Sequence, residues 1–307
     1  MWEIIRKFEF SEIAPPWAFS HIQVPTPIIF NDQIFVFYAT RDYSGKSQLA
    51  SFSLDIDRPQ NVVAKSLTPI VALGEPGTFD EDGVMASSVI ESNGHLFLYY
   101  TGWQQSCVVP YQTSIGLLVS ENKSLFFNRV AKGPIIGKNQ HEPFFVNTPH
   151  VYKDEKKLKM IYGAGYKWTL IDGKMEPTYF LKRSESFDGL NWSMPGEEFI
   201  EPKSSRESTV RATRYLSIEN EAKIIFSTRN LRDFRGGKGS YKLEQISESP
   251  NKIPKSGREP IKFANPKLLH NQNMLAYPST FNTDTNYLFF NGSNFGKHSI
   301  FLARELN

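Results

Sequence analysis

Three stretches of the chain carry side chains suited to acid–base or anion chemistry. The first is the acidic cluster Asp80-Glu81-Asp82. The second is His141-Glu142, set just before Pro143 and followed by Asn147. The third is Arg206-Glu207, with Arg211 and Arg214 close behind. Two carboxyl groups held in one narrow pocket repel, so one of them keeps its proton to higher pH, as general acid and base work requires. Asp82 and Glu142 are the expected acid and base, with Glu207 in reserve. Three neighbouring arginines repel unless an anion joins them, so Arg206, Arg211 and Arg214 point to a carboxylate, phosphate or sulfate on the ligand. Each feature also has a plainer explanation: a solvated acidic loop, a turn before proline, or charge at a strand end. His21 and His141 with Asp82 or Glu142 would offer metal ligands, yet no close spacing of the zinc-site kind is present. The expectation is no resident metal or other cofactor, with phosphate or a divalent metal as the groups these residues would suit.

The elements that must position these residues form a repeat. Five aromatic strands, IFVFYAT, LFLYYTG, KMIYGAG, IIFSTR and YLFFNGS, align on Tyr38, Tyr100, Tyr162, Phe226 and Phe290. About a dozen residues before each lies a short strand rich in small or β-branched residues and proline: VPTPIIF, MASSVIE, VNTPHVY, VRATRYL and AYPSTFN. Turns at Asn31-Asp32, Asn93-Gly94, Asp154-Glu155, Glu219-Asn220 and Thr283-Asp284 join each pair as hairpins. A third alternating strand follows each: QLASFSLD, SIGLLVSE, YFLKRSES, YKLEQISES and IFLARE. The three-residue acidic cluster precedes only one copy, which suggests a site grafted onto a repeated scaffold. No segment shows a clean helical period. A constant period of about 60 residues suits a four-stranded antiparallel blade. The expected fold is all-β: one five-bladed β-propeller domain over residues 1–307, with a β-sandwich as the rival. The N-terminal strand Trp2–Phe10 would pair with the last blade and close the ring.

Composition excludes several classes. The net charge of +3 is spread along the chain, without the basic stripe of a nucleic-acid binder. No apolar run approaches the roughly 18–20 residues of a membrane span. The opening MWEIIRKFEF lacks the apolar core and cleavage site of a signal peptide, and Cys107 is the single cysteine. A cytoplasmic protein with no nucleic-acid or membrane partner is the expectation.

Antiparallel geometry places the start of each first strand and the loop after each second strand on one face. The small-residue strands belong innermost, so residues just before them should ring a central pocket. These are His21 and Gln23, Asp80 to Asp82, His141, Glu142 and Asn147, then Arg206, Glu207, Arg211 and Arg214, then Asn273 and Tyr277. The rim should carry Arg41 and Asp42, Trp103, Tyr166 to Trp168, Arg229, Arg232, Asp233 and Asn294. Trp103 and Trp168 would either stack on a flat ligand such as a sugar ring or belong to the core.

Several of these stretches resemble the five-bladed propeller superfamily of arabinanases, levansucrases and invertases, with the related β-mannoside phosphorylases. The resemblance rests on VPTPIIFNDQIFVFYATRD, GEPGTFDEDGVMASSV, HLFLYYTGW, VNTPHVYKDEKKLKMIYGAG and SESFDGLNW. The last is similar to an S-x-D-G-x-x-W hairpin, here marked by Ser186, Asp188, Gly189 and Trp192. The likeness implies a carbohydrate-active enzyme, a glycoside hydrolase, transferase or phosphorylase in polysaccharide metabolism. It implies a sugar, oligosaccharide or sugar-phosphate ligand and carboxylates at the first strands, with Asp82 at the second-blade position. His21-Ile22-Gln23 and Asn147 stand where it implies carboxylates in the first and third blades. A propeller that binds glycans without turning them over is therefore the alternative.

Overall fold

The computed structural model describes residues 1–306 except 93, 122–123, 201 and 250–255. Its regular secondary structure is nearly all β-strand. After β1 (Trp2–Glu9), the chain forms antiparallel units whose strands run outward in sequence order. The first unit is β2 (Ser20–Phe30), β3 (Gln33–Arg41), β4 (Ser47–Asp55) and β5 (Val62–Lys65). The second is β6 (Gly83–Ser92), β7 (His95–Gln105), β8 (Tyr111–Ser120) and β9 (Phe127–Arg129). A single parallel bridge, Ser47 to Gly83, joins these two into one eight-stranded sheet. The third is β10 (Val146–Asp154), β11 (Lys157–Ile171), β12 (Lys174–Ser186) and β13 (Glu197–Glu198). The fourth is β14 (Glu207–Leu216), β15 (Ala222–Asn230), β16 (Lys242–Ser247) and β17 (Glu259–Pro260). The last is β18 (Ala276–Asn282), β19 (Asn286–Asn291) and β20 (Ser299–Glu305), completed by β1 pairing antiparallel with β20. The N-terminal strand thus does close the last unit, as its sequence suggested.

The innermost strands β2, β6, β10, β14 and β18 neighbour one another in cyclic order. Their small hydroxyl residues explain how they pack so closely, since they bond across to the next unit. Ser88 Oγ accepts from Val151 N at 2.9 Å, Thr209 Oγ1 accepts from Leu181 N at 2.9 Å, and Thr213 and Thr280 share a 2.8 Å bond. Asn291 closes the circle, accepting from Val24 N at 2.8 Å and donating to Ile22 O at 2.7 Å. A separate apolar core fills each wedge between adjacent units. Tyr38, Tyr100, Tyr162, Phe226 and Phe290 are all buried in these cores. Fully burying such a ring is worth about 1.5–3 kcal/mol.

The hairpin turns fall where the sequence placed them. Asn31 and Asp32 both have positive φ, as do Glu155 and Asn220. Gly94 has φ +79°, while Asn93 lies outside the described residues. Asp188 accepts from Ser186 Oγ and from the backbone N–H groups of Leu190 and Asn191. Those donors, Asn191 first, hold its carboxyl well below the usual range. Gly189 O accepts from both Trp192 Nε1 and Tyr99 of the second unit, so this hairpin ties two units together.

Candidate functional site

Each inner strand is interrupted by a register shift, between Gln23 and Thr26, Ala86 and Ser88, Asn147 and His150, Val210 and Ala212, and Ala276 and Ser279. Val24, Thr148, Arg211 and Tyr277 take positive φ at these bulges. Non-glycine residues rarely adopt that conformation, and bulges of this sort re-aim side chains near functional sites. Here they turn Gln23, Ser87, Asn147, Val210 and Tyr277 toward a cavity of about 410 Å³ at one end of the ring.

The cavity walls are aromatic. Trp103 and Tyr111 lie with ring centroids 4.1 Å apart and 33° between their planes. Tyr179, Tyr241, Tyr277, Phe234 and Phe295 line the other side. Two carboxylates face the cavity, Asp82 and Glu176. Asp82 accepts from the backbone N–H of Gln105 at 2.9 Å and pairs with Lys46 at 3.0 Å. That N–H, then Lys46, outweigh burial and lower its pKa, so it is a carboxylate at neutral pH. Both oxygens of the buried Glu176 accept from Arg235, the Nη2–Oε2 bond being 2.9 Å. Arg41 and Arg229 line the same space.

Seven of the residues expected from sequence line this cavity: Gln23, Asp82, Asn147 and Tyr277 from the ring, and Arg41, Trp103 and Arg229 from the rim. The carboxylates Asp82, Glu142 and Glu207 do not converge there. Glu142 is 1% exposed and accepts from Tyr162 Oη at 2.7 Å and Lys182 Nζ at 2.8 Å. Asp80 accepts from Tyr100 Oη at 2.9 Å and Arg129 Nε at 2.8 Å. Glu207 is paired with Arg258, whose guanidinium lies 5.1 Å from the ring centre of Phe226. Asp80, Glu142 and Glu207 occupy equivalent places, each just before or at the start of an inner strand, each beside the aromatic of the second strand and a cation from farther out. They are latches that pin each loop to its sheet. Gly116 and Gly196 make room for the latch tyrosines, since a Cβ there would fall 2.3 Å from Tyr100 Cζ and 2.2 Å from Tyr162 Oη.

The remaining residues also lie elsewhere. Arg211 is 1% exposed and spans the centre of the ring, donating to Pro278 O at 3.1 Å and Pro25 O at 3.2 Å. Burial pulls its guanidinium down to about 9. Arg214 pairs with Glu248 at 2.6 Å over the ring of Tyr152. His141 and Arg206 are exposed, Trp168 packs on Phe145 and Tyr111, and His21 bonds to Ser20. His21 is depressed to about 4 by burial and then by Arg41, so its ring is neutral near pH 7. The three arginines therefore point in different directions and form no single anion site. Among the described residues, no group of three His, Cys, Asp or Glu side chains is placed to hold a metal ion. Among the same residues, no helix is long and apolar enough to cross a membrane.

Sequence reasoning missed Tyr111, Glu176, Tyr179 and Tyr241. Tyr111, Glu176 and Tyr241 lie at or beside the start of a third strand, and Tyr179 lies farther along one, opposite Gly165. In an antiparallel sheet the start of the third strand adjoins the end of strand two, so the geometry that selected Arg41, Trp103 and Arg229 also selects the first three.

Solved structures with this architecture come from carbohydrate enzymology. BT0996, solved as an RGII complex, superposes with a TM-score of 0.69 at 13% identity, over 97% of this protein and 94% of that one. Sucrose-6-phosphate hydrolase from Lactobacillus gasseri gives 0.65 at 14%, over 96% of this protein and 62% of that one. An exo-1,5-alpha-L-arabinanase from a bovine ruminal metagenomic library gives 0.64 at 12%, over 95% of each. The fold is that of the glycoside-hydrolase propellers. In sequence, the chain is 28% identical over 193 residues to two uncharacterized Mycobacterium tuberculosis proteins, MT1551 of strain CDC 1551 / Oshkosh and Rv1502 of strain ATCC 25618 / H37Rv. That match takes in 62% of this chain, and the chain spans 64% of the length of those relatives. No protein-family model matches the chain. At these identities the propeller likeness speaks for the fold, and function rests on the cavity itself.

Proposed function

We propose that residues 1–307 form one domain, a five-bladed propeller that recognises a carbohydrate in the cavity at the end of its ring. The observation that carries this is the aromatic cavity in a glycoside-hydrolase propeller. Trp103 and Tyr111, packed on each other, line the cavity together with the amides of Gln23, Gln105 and Asn147. A sugar has an apolar face and hydroxyl edges, and stacking with amide hydrogen bonds satisfies both. The volume of 410 Å³ lies in the range of small-molecule sites. Recognition is favoured over two-carboxylate hydrolysis because Gln23 and Asn147 face the cavity where the family likeness implies carboxylates. The two cavity carboxylates are each already paired with a cation.

The test is a binding screen of neutral mono- and oligosaccharides by thermal shift. A ligand at a hundred times its Kd stabilises the native state by about 2.7 kcal/mol, which is about 4 °C for a chain of this length. Trp103→Ala should weaken a hit at least tenfold. Absence of any shift across the panel, with the protein folded, counts against the proposal.

Asp82 supports a second reading, turnover of a glycosidic or sugar-phosphate bond. It is an ionised carboxylate in the cavity and could serve as base. Asp82→Asn separates the two. If the cavity only binds, affinity changes by less than about threefold, whereas a lost general base lowers turnover by about 10²–10⁴.

A further inference from the structure

Arg229 lies among Tyr179, Phe234 and Tyr241, its Cζ 5.2, 4.0 and 5.8 Å from their ring centres. It is 3% exposed. Nη2 donates to Pro177 O at 2.6 Å and Nη1 to Asn230 O at 3.0 Å, while the buried Nε has no partner. Among the described residues no carboxylate pairs with it, in contrast to Arg235, which Glu176 neutralises, and Lys46, which Asp82 neutralises. Arg41 also lines the cavity and, among the same residues, forms no ion pair. Tyr277 stands within electrostatic reach of both: burial raises its phenol, and Arg229 and Arg41 both oppose that rise. Removing a guanidinium from water without a counter-charge is unfavourable. Aromatic faces offset part of that, and an anion entering the cavity would offset the rest.

The geometry points to an anion subsite in the cavity, formed by Arg229 and Arg41, that takes a sugar bearing a carboxylate or phosphate. This rests on the carbohydrate reading above and narrows it to acidic sugars. A guanidinium edge presents the planar donor set that carboxylate and phosphate oxygens match.

Isothermal titration of the intact protein tests it with galacturonate, its uncharged isostere galacturonamide, galactose, galactose 1-phosphate, inorganic phosphate and acetate. At least one charged sugar should bind tenfold or more tighter than its uncharged counterpart, with affinity falling as salt rises. Preference for galacturonate identifies a carboxylate as the natural group, and preference for galactose 1-phosphate a phosphate. Arg229→Lys should collapse the ratio to below threefold. Because Arg229 packs among three rings, Arg41→Gln provides a second variant, expected to reduce the ratio at least threefold. Neutral and charged sugars binding equally would overturn the subsite and leave carbohydrate recognition standing. Phosphate or acetate binding that Arg229→Lys abolishes, with no sugar bound, would keep the subsite and remove the carbohydrate reading. No binding of any charged probe at millimolar concentration overturns the subsite.

Discussion

Replacing Glu142 with alanine tests whether the carboxylates before the inner strands hold the sheets or serve the site. The carboxylate is 1% exposed and holds two charge-assisted partners, Tyr162 Oη and Lys182 Nζ. Lys182 has a side chain only 18% exposed, so its ammonium would be left largely out of water without a counter-charge. Breaking a buried pair by removing one member costs about 3–5 kcal/mol. Unfolding entropy near 2.1 cal/mol/K per residue gives about 0.65 kcal/mol/K for this chain, so Glu142→Ala should lower Tm by about 5–8 °C. Lys182→Met alone should also destabilise. The double variant Glu142→Leu/Lys182→Met should recover much of the loss, because an apolar pair of similar volume replaces the ions. Calorimetry reads the cycle, and a ligand titration on the same proteins reads the site. A Glu142→Ala protein that melts like wild type and has lost its ligand or its turnover would refute the latch and restore Glu142 to the site.

Other outcomes follow from the same geometry. Gly116→Ala drives a Cβ to 2.3 Å from Tyr100 Cζ and should cost about 1–3 kcal/mol, read as a lowered urea midpoint. His150 is half-buried, and burial, then Arg211 and Arg214, depress its pKa to about 3. The unfolded chain therefore binds the extra proton below about pH 6.5, so stability falls as pH drops from there toward 3. Substituting His150 with asparagine should flatten that part of the stability–pH curve by close to one proton. Arg211→Ala removes the bonds to Pro25 O and Pro278 O and leaves a void between inner strands, and should lower Tm by about 5–8 °C.

The scaffold was legible because its rule is repeated. Tyr38, Tyr100, Tyr162, Phe226 and Phe290 recur at a nearly constant spacing, and each fills the same kind of wedge. The site was less legible because two neighbouring residues can serve opposite ends of a design. Asp80 turns into a latch while Asp82, two positions on, faces the cavity. A signal was present, however. Asp80 and Glu142 each stand 20 residues before their tyrosines, and Glu207 stands 19 before Phe226. A carboxylate that recurs in register with the repeat belongs to the repeat, and one without a counterpart, such as Glu176, is the better place to look for chemistry. Arg206, Arg211 and Arg214 are close in sequence, yet a strand sends alternate side chains to opposite faces, and the bulge at Arg211 redirects one of them inward.

Arg211 reaches across the middle of the ring to the backbones of β2 and β18, and its charge is felt at His150 on β10. That side chain therefore fills space between three of the five inner strands, β14, β18 and β2. If the proposed carbohydrate is a polymer, a plug at Arg211 would admit only its terminus or a short branch. Length of the polymer beyond the first few residues should then matter little to affinity, whereas capping its end should matter a great deal.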